Sequence, residues 1–274
     1  MEDGRCVAGI RIRTAKTETC EMEYFKFGQG RKVFVILPGL SVTSVTETAE
    51  TVRRMYKQIA NEFTVYVFDR RKDLPPVYSV RQMAEDTANV FRALGLEKVS
   101  IFGASQGGMM AMEIAIRHPE LVEKLIVGST SAKTSEETTS CMEEWIRLAK
   151  KKDARELYLA FGKALYPKKI FEQIGPVFAE FAEAVTQQDM ERFIVLAEGI
   201  RDFDILDDLD KIRCPMLAIG DTDDRVTGAK AMEEIAERMA GRPDFELYMY
   251  EGYGHAVYDL AADYRSRILH FLIP

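Results

Sequence analysis

The stretch Lys98–Val99–Ser100–Ile101–Phe102–Gly103–Ala104–Ser105–Gln106–Gly107–Gly108 decides the fold. Its first five residues form a short run dominated by apolar side chains, as in a buried strand. The residues from Ser105 to Arg117 carry a helical pattern. Between them the chain must turn sharply, with Ser105 at the tip in a strained backbone conformation. Gly103 and Gly107, two before and two after, let neighbouring backbone pass close by, and Gly108 adds room. The Ser105 hydroxyl then stands at the C-terminal edge of a sheet and at the N-terminus of a helix, whose dipole favours a developing anion.

Outward from this turn the chain alternates. Arg5–Thr14 and Cys20–Phe27 read as a hairpin, with Ala15–Thr19 as its turn. Lys32–Leu37 is an apolar strand ended by Pro38–Gly39. Helix follows at Val45–Ala60, strand at Phe63–Phe68, helix at Val80–Leu94, and strand again at Leu121–Val127. Strands separated by helices of this length imply right-handed βαβ units and a mostly parallel sheet. After Ser129 the alternation stops. From Ala132 to Asp210 only helices are expected. The pattern resumes with strand Met216–Ile219, helix Ala229–Ala240, strand Phe245–Tyr250 and a final helix Tyr258–Phe271. The expected organisation is one α/β core, residues 1–131 and 211–274, with a helical insertion at 132–210.

The chain of 274 residues is long enough to fold without disulfides or metals. With 47% hydrophobic and 30% charged residues it has the profile of an ordinary soluble globule. A net charge of −7 argues against a nucleic-acid binder, which would carry a basic face, and offers no polybasic patch to anionic lipid. The four cysteines are scattered with no CxxC pair, so free thiols and a cytoplasmic setting are expected. The N-terminus MEDGRCVAG lacks the apolar core of a signal peptide, and no run is long enough for a membrane span. No cofactor motif is present.

A serine acting as nucleophile needs a base, and the chain has three histidines. His118 lies at the far end of the nucleophile helix, roughly 18 Å from Ser105 along a helix of about a dozen residues. It reads as a helix C-terminal cation. His270 sits inside the last helix. His255, in Gly252–Tyr253–Gly254–His255, follows the final strand on a loop that glycines let bend over the sheet edge, and it is the favoured base. The base needs a carboxylate to hold its tautomer. Strand Met216–Ile219 runs into Gly220–Asp221–Thr222–Asp223–Asp224–Arg225–Val226. Asp224, immediately before Arg225–Val226–Thr227, is the favoured acid, with Asp223 as the alternative. The remaining carboxylates of this loop are expected to belong to a solvated turn. For an oxyanion hole, one backbone N–H is expected from Gln106 and the other from the Pro38–Gly39–Leu40–Ser41 loop, at Leu40.

At these residues the chain resembles the α/β-hydrolase superfamily, in its capped esterase and aryl-ester or C–C-bond hydrolase branch. Leu37–Pro38–Gly39, Gly103–Gly108, Gly220 with Asp224–Arg225–Val226, and Gly254–His255 carry the resemblance, with the order Ser, Asp, His. Asp69–Arg70–Arg71 matches the family's D-x-R-G-x-G in part. Pro38–Gly39 stands where many members have His–Gly. Lys72–Asp73–Leu74–Pro75–Pro76 replaces the expected glycines and is expected to border the active site in a different way. The resemblance implies that the helical insertion is a cap. Its apolar underside would come from Trp145, Leu148, Tyr158, Phe161, Leu165, Tyr166, Phe171, Phe178, Phe181 and Phe193.

The expected activity is hydrolysis of a small to medium, largely apolar carboxylic ester or related acyl compound through an acyl-enzyme. C–C-bond hydrolysis, aminopeptidase action, acyl transfer and perhydrolysis use the same triad. A ligand-binding protein without turnover is the reading from outside enzymology.

Overall fold

The computed structural model of the protein describes residues 5–273. Residues 1–4, part of the polar N-terminus read above, lie outside them. Among the described residues, nine strands form one sheet: β1 (Cys6–Val7), β2 (Ile10–Lys16), β3 (Glu21–Phe27), β4 (Lys32–Leu37), β5 (Phe63–Arg71), β6 (Val99–Ala104), β7 (Val122–Gly128), β8 (Met216–Asp221) and β9 (Phe245–Tyr250). Their spatial order is β1-β2-β3-β5-β4-β6-β7-β8-β9. β1 to β3 form an antiparallel edge that joins β5, and the remaining pairs are parallel. This is the mostly parallel sheet anticipated from the alternation, in the α/β-hydrolase arrangement that the motif resemblance implies. The central strands β6 and β8 are buried along their whole length, as expected for parallel strands covered on both faces.

One face carries α3 (Val80–Ala93), α4 (Gln106–Arg117) and α9 (Ala231–Arg238); the other carries α1 (Ala49–Met55), α2 (Lys57–Ala60), α10 (Val257–Leu260) and α11 (Tyr264–Leu272). α3 begins with a capping box between Ser79 and Gln82 and buries Val80, Met83, Ala84, Ala88, Val90 and Phe91 on one stripe. α4 is buried continuously from Gln106 to Ala115, so it fits only in the interior.

Two expected helices are broken. The first breaks at Tyr56, whose non-helical backbone lets its ring pack on Phe34 and Phe102. The last breaks at Ala261, which is extended, so that Val257, Ala261, Tyr264 and Ile268 all reach the sheet. Between β7 and β8 lie α5 (Glu136–Lys150), α6 (Ala154–Leu165), α7 (Lys168–Glu183) and α8 (Gln187–Glu198). The two ends of this segment pair with each other: Thr134 N–H donates to the Phe203 carbonyl at 2.9 Å and Ile205 N–H to the Ala132 carbonyl at 2.8 Å. Among the described residues, no helix is long and apolar enough to cross a membrane.

Candidate active site

β6 ends at Ala104 and α4 begins at Gln106, so Ser105 alone makes the turn. Its φ of 52° and ψ of −122° lie where L-residues rarely go. The glycine requirements are visible as space. A Cβ on Gly103 would stand 2.2 Å from the Gly107 carbonyl oxygen, and one on Gly107 would stand 2.0 Å from that of Leu37. A Cβ on Gly108 would strike the Thr130 side chain at 2.7 Å. Any other residue at these positions would push α4 away from the sheet edge and move Ser105 with it.

The loop after β4 lies against the serine. A Cβ on Gly39 would be 3.2 Å from Ser105 Cβ and 3.9 Å from Ser105 Oγ. Gln106 is fully buried, and its N–H belongs to the first turn of α4, where backbone donors have no acceptor within the helix. The two segments expected to supply N–H donors, at Leu40 and Gln106, therefore flank Ser105.

His255 follows β9 on a loop containing Gly252 and Gly254, both with positive φ. The ring is 2% exposed. Its Nδ1 lies 2.8 Å from Asp224 Oδ2 and 3.0 Å from Oδ1. Asp224 also accepts the N–H groups of Val226 and Thr227, at 2.8 and 3.0 Å, and the Thr227 hydroxyl at 2.7 Å. Burial pushes the Asp224 carboxyl up, but the His255 ring, the Thr227 hydroxyl and the backbone donors outweigh it and hold the carboxyl below the usual range. Asp223, the alternative acid, is exposed and accepts the Gly252 N–H at 2.8 Å.

Asp221 departs from expectation. It is not part of a solvated turn but 1% exposed. It accepts the N–H groups of Asp223, Tyr253 and Gly254 at 2.9, 3.0 and 3.0 Å. It therefore ties the histidine loop to the acid loop, a role no spacing in the sequence could signal. His118 ends α4, its ring nitrogens near Glu85 and Arg92, and His270 is exposed on α11.

Ser105 and His255 line one cavity with Gly39, Leu40, Met109, Thr138, Met142, Trp145, Phe161, Leu165, Ile200, Val226, Thr227 and Tyr258. Space open to a water molecule there is about 20 Å³. That is room for one or two waters, at roughly 10–15 Å³ each. Of the ten apolar side chains expected beneath a cap, Trp145, Phe161 and Leu165 face this cavity, whereas Phe181 is 57% exposed. Tyr158, Tyr166 and Phe171 each pack on Phe178. The Lys72–Pro76 loop does not border the cavity. Pro76 instead lines a separate pocket of about 340 Å³ with Glu113 and Gly199.

The α5–α8 segment is bonded to each part of the site. Thr138 of α5 donates to the Val226 carbonyl at 3.0 Å. The Leu165 carbonyl at the end of α6 accepts the Ala256 N–H at 3.0 Å. The Leu196 carbonyl of α8 accepts from Gln106 Nε2 at 2.7 Å. Among the described residues, no group of three or more His, Cys, Asp and Glu side chains is arranged to hold a metal ion.

Comparison with known proteins agrees with this architecture. A protein of Rhizobium rhizogenes named "Putative carbamate hydrolase RutD" is 26% identical over 223 residues, covering 78% of this chain and 84% of the relative. The crystal structure of MGS-M2, an alpha/beta hydrolase enzyme from a Medee basin deep-sea metagenome library, superposes with a TM-score of 0.83 at 20% identity, covering 94% of this chain and 96% of the other. The enol-lactonase from Burkholderia xenovorans superposes with a TM-score of 0.81 at 18% identity, covering 95% and 100%. At such identities the two structures speak for the fold alone. Residues 34–266 match the alpha/beta hydrolase family, and the chain belongs to that family.

Proposed function

We propose that the protein is a serine hydrolase that cleaves a small, largely apolar carboxylic ester or related acyl compound through an acyl-enzyme. Ser105 is the nucleophile, His255 the base, Asp224 the acid, and the N–H groups of Leu40 and Gln106 form the oxyanion hole. The observation that carries the reading is the buried His255–Asp224 pair, at 2.8 Å, on the same cavity as the strained Ser105.

In this mechanism Asp224 holds the proton on Nδ1, which leaves Nε2 as the acceptor. His255 takes the Ser105 proton as Oγ attacks the carbonyl carbon, and the tetrahedral oxyanion is met by the two N–H groups. The imidazolium returns the proton to the leaving alkoxide or phenoxide. Water, deprotonated by the same ring, then releases the acid. The apolar walls exclude bulk water and strengthen each of these interactions. Residues 132–210 act as the cap, and the tightness of the cavity means that this cap shifts to admit anything beyond the smallest acyl groups.

Carbamate cleavage is the second reading, favoured by the name of the Rhizobium relative. It needs the same attack on a carbonyl carbon. The test is a panel of p-nitrophenyl esters of rising chain length beside carbamates, amides and lactones, run with fluorophosphonate labelling of Ser105. Labelling with turnover of short esters supports the first reading, and carbamate turnover above all esters supports the second. A serine that does not label overturns both.

A further inference from the structure

Arg70, the penultimate residue of β5, lies in the interior, 3% exposed. Its Nη2 donates to the Pro38 carbonyl at 2.8 Å and to Gln106 Oε1 at 2.9 Å. Pro38 immediately precedes the Gly39–Leu40 loop, and Gln106 opens α4. One nitrogen thus holds both segments that flank Ser105. The guanidinium is planar, so its two N–H directions, and hence the two acceptors, are held at a fixed angle. The far end of Gln106 is fixed as well, by its bond to Leu196 on α8.

This cation is held at a cost. Its neighbour Asp69 makes its ion pair with Arg192, at 2.6 Å, and among the described residues no carboxylate forms an ion pair with the Arg70 side chain. Among the described residues, Arg70 Nε is buried and has no hydrogen-bond partner. Burial pulls the Arg70 pKa down to about 10, with Asp69 opposing and Arg192 adding to the fall. A buried guanidinium bonded only to neutral acceptors stabilises a fold less than well-packed apolar atoms of similar volume. Its geometry serves something other than packing.

We infer that Arg70 is a positioning residue of the oxyanion hole, setting the spacing between the Leu40 and Gln106 N–H groups through its bonds to Pro38 and Gln106. The inference rests on the serine-hydrolase reading above. The substrate never touches Arg70. What it controls is how well two donors converge on a charge that exists only in the transition state, so it acts on kcat and not on ground-state binding.

The experiment compares Arg70→Met, Arg70→Lys and Gln106→Ala with the parent enzyme on p-nitrophenyl acetate, with phenylboronic acid as a tetrahedral-adduct probe. Arg70→Met is expected to lose about 10- to 100-fold in kcat at nearly unchanged KM, the scale of a misplacement near 1 Å. Phenylboronic acid affinity should fall by a similar factor. Arg70→Lys cannot bridge both acceptors at a fixed angle and should recover little. Gln106→Ala keeps its backbone N–H but frees it from Arg70, so it should fall in the same direction even where Arg70→Met does not fold. The double variant should be no worse than the poorer single variant. A folded Arg70→Met with kcat within twofold of the parent, or with unchanged boronate affinity, overturns the inference. Failure of the parent to react with a fluorophosphonate defeats the serine-hydrolase reading itself and is seen before any variant is made.

Discussion

The Asp221 carboxylate accepts the Gly254 N–H at 3.0 Å, one residue before His255. With its bonds to Tyr253 and Asp223 it fixes where the histidine loop crosses the sheet edge. In Asp221→Asn one oxygen becomes an NH2 group that cannot accept, and a buried N–H loses its partner. The expected cost is about 1–3 kcal/mol in stability, with a kcat loss of roughly tenfold or more as the ring drifts. Urea unfolding and steady-state kinetics on p-nitrophenyl acetate check this, and a variant with parental stability and rate would refute it.

Asp224→Asn is expected to lower kcat by about 10⁴-fold, because the amide favours the wrong histidine tautomer. Asp223→Asn should stay within a few-fold of the parent, since Asp223 is exposed and its carboxylate accepts the loop N–H of Gly252. The pH dependence of stability follows from the lowered Asp224 pKa. A carboxyl whose folded pKa lies below its unfolded value contributes stability that is full above the unfolded pKa, near 4, and is lost as pH falls through the folded pKa. The stability gap between parent and Asp224→Asn should therefore narrow below about pH 4. A gap that widens on acidification contradicts the assignment.

Ser105→Ala and His255→Ala should each cost several orders of magnitude in kcat, as in triad deletions generally. His118→Ala and His270→Ala should be nearly silent, since one sits at the end of α4 and the other on the surface. Circular dichroism establishes folding for each. A folded His118 variant with a severe kcat loss would overturn the choice of base.

Met142 of α5 is 6% exposed and lines the same cavity as Ser105. Met142→Ala should enlarge a space that now admits one or two waters. The chain length of the best p-nitrophenyl ester should rise by one or more carbons, while stability falls by about 2–5 kcal/mol. An unchanged chain-length profile would mean that the residue does not bound the acyl site.

Arg192 of α8 pairs with Asp69 at 2.6 Å, and Asp69 also accepts the Ser44 hydroxyl at 2.6 Å. Removing the guanidinium in Arg192→Ala leaves a buried carboxylate short of its counter-charge, at an expected cost of about 3–5 kcal/mol. With α8 less firmly held, longer esters should gain relative to acetate. Equal losses across the ester series would show that α8 does not gate entry.

Sequence alone determined the sheet and the turn at Ser105, and it singled out His255 among the three histidines. These follow from local physics: apolar runs bounded by breakers, glycines where a Cβ has no room, and only one of three histidines beyond a strand end. It also singled out Asp224 over Asp223 by its place before Arg225–Val226. Tertiary structure alone decided the rest. Asp221 looks in sequence like any acid of a polar turn, and its burial depends on three N–H groups, two of them contributed by a loop some thirty residues further along. Arg70, adjacent to the family's arginine position, gains its role from Pro38 and Gln106, each more than thirty residues away. The Lys72–Pro76 loop does not line the cavity, and of the ten apolar side chains expected beneath a cap three line it. Long-range hydrogen bonding and the packing of one helix face against another leave no periodic trace in a chain. They are set by which segments the fold brings together.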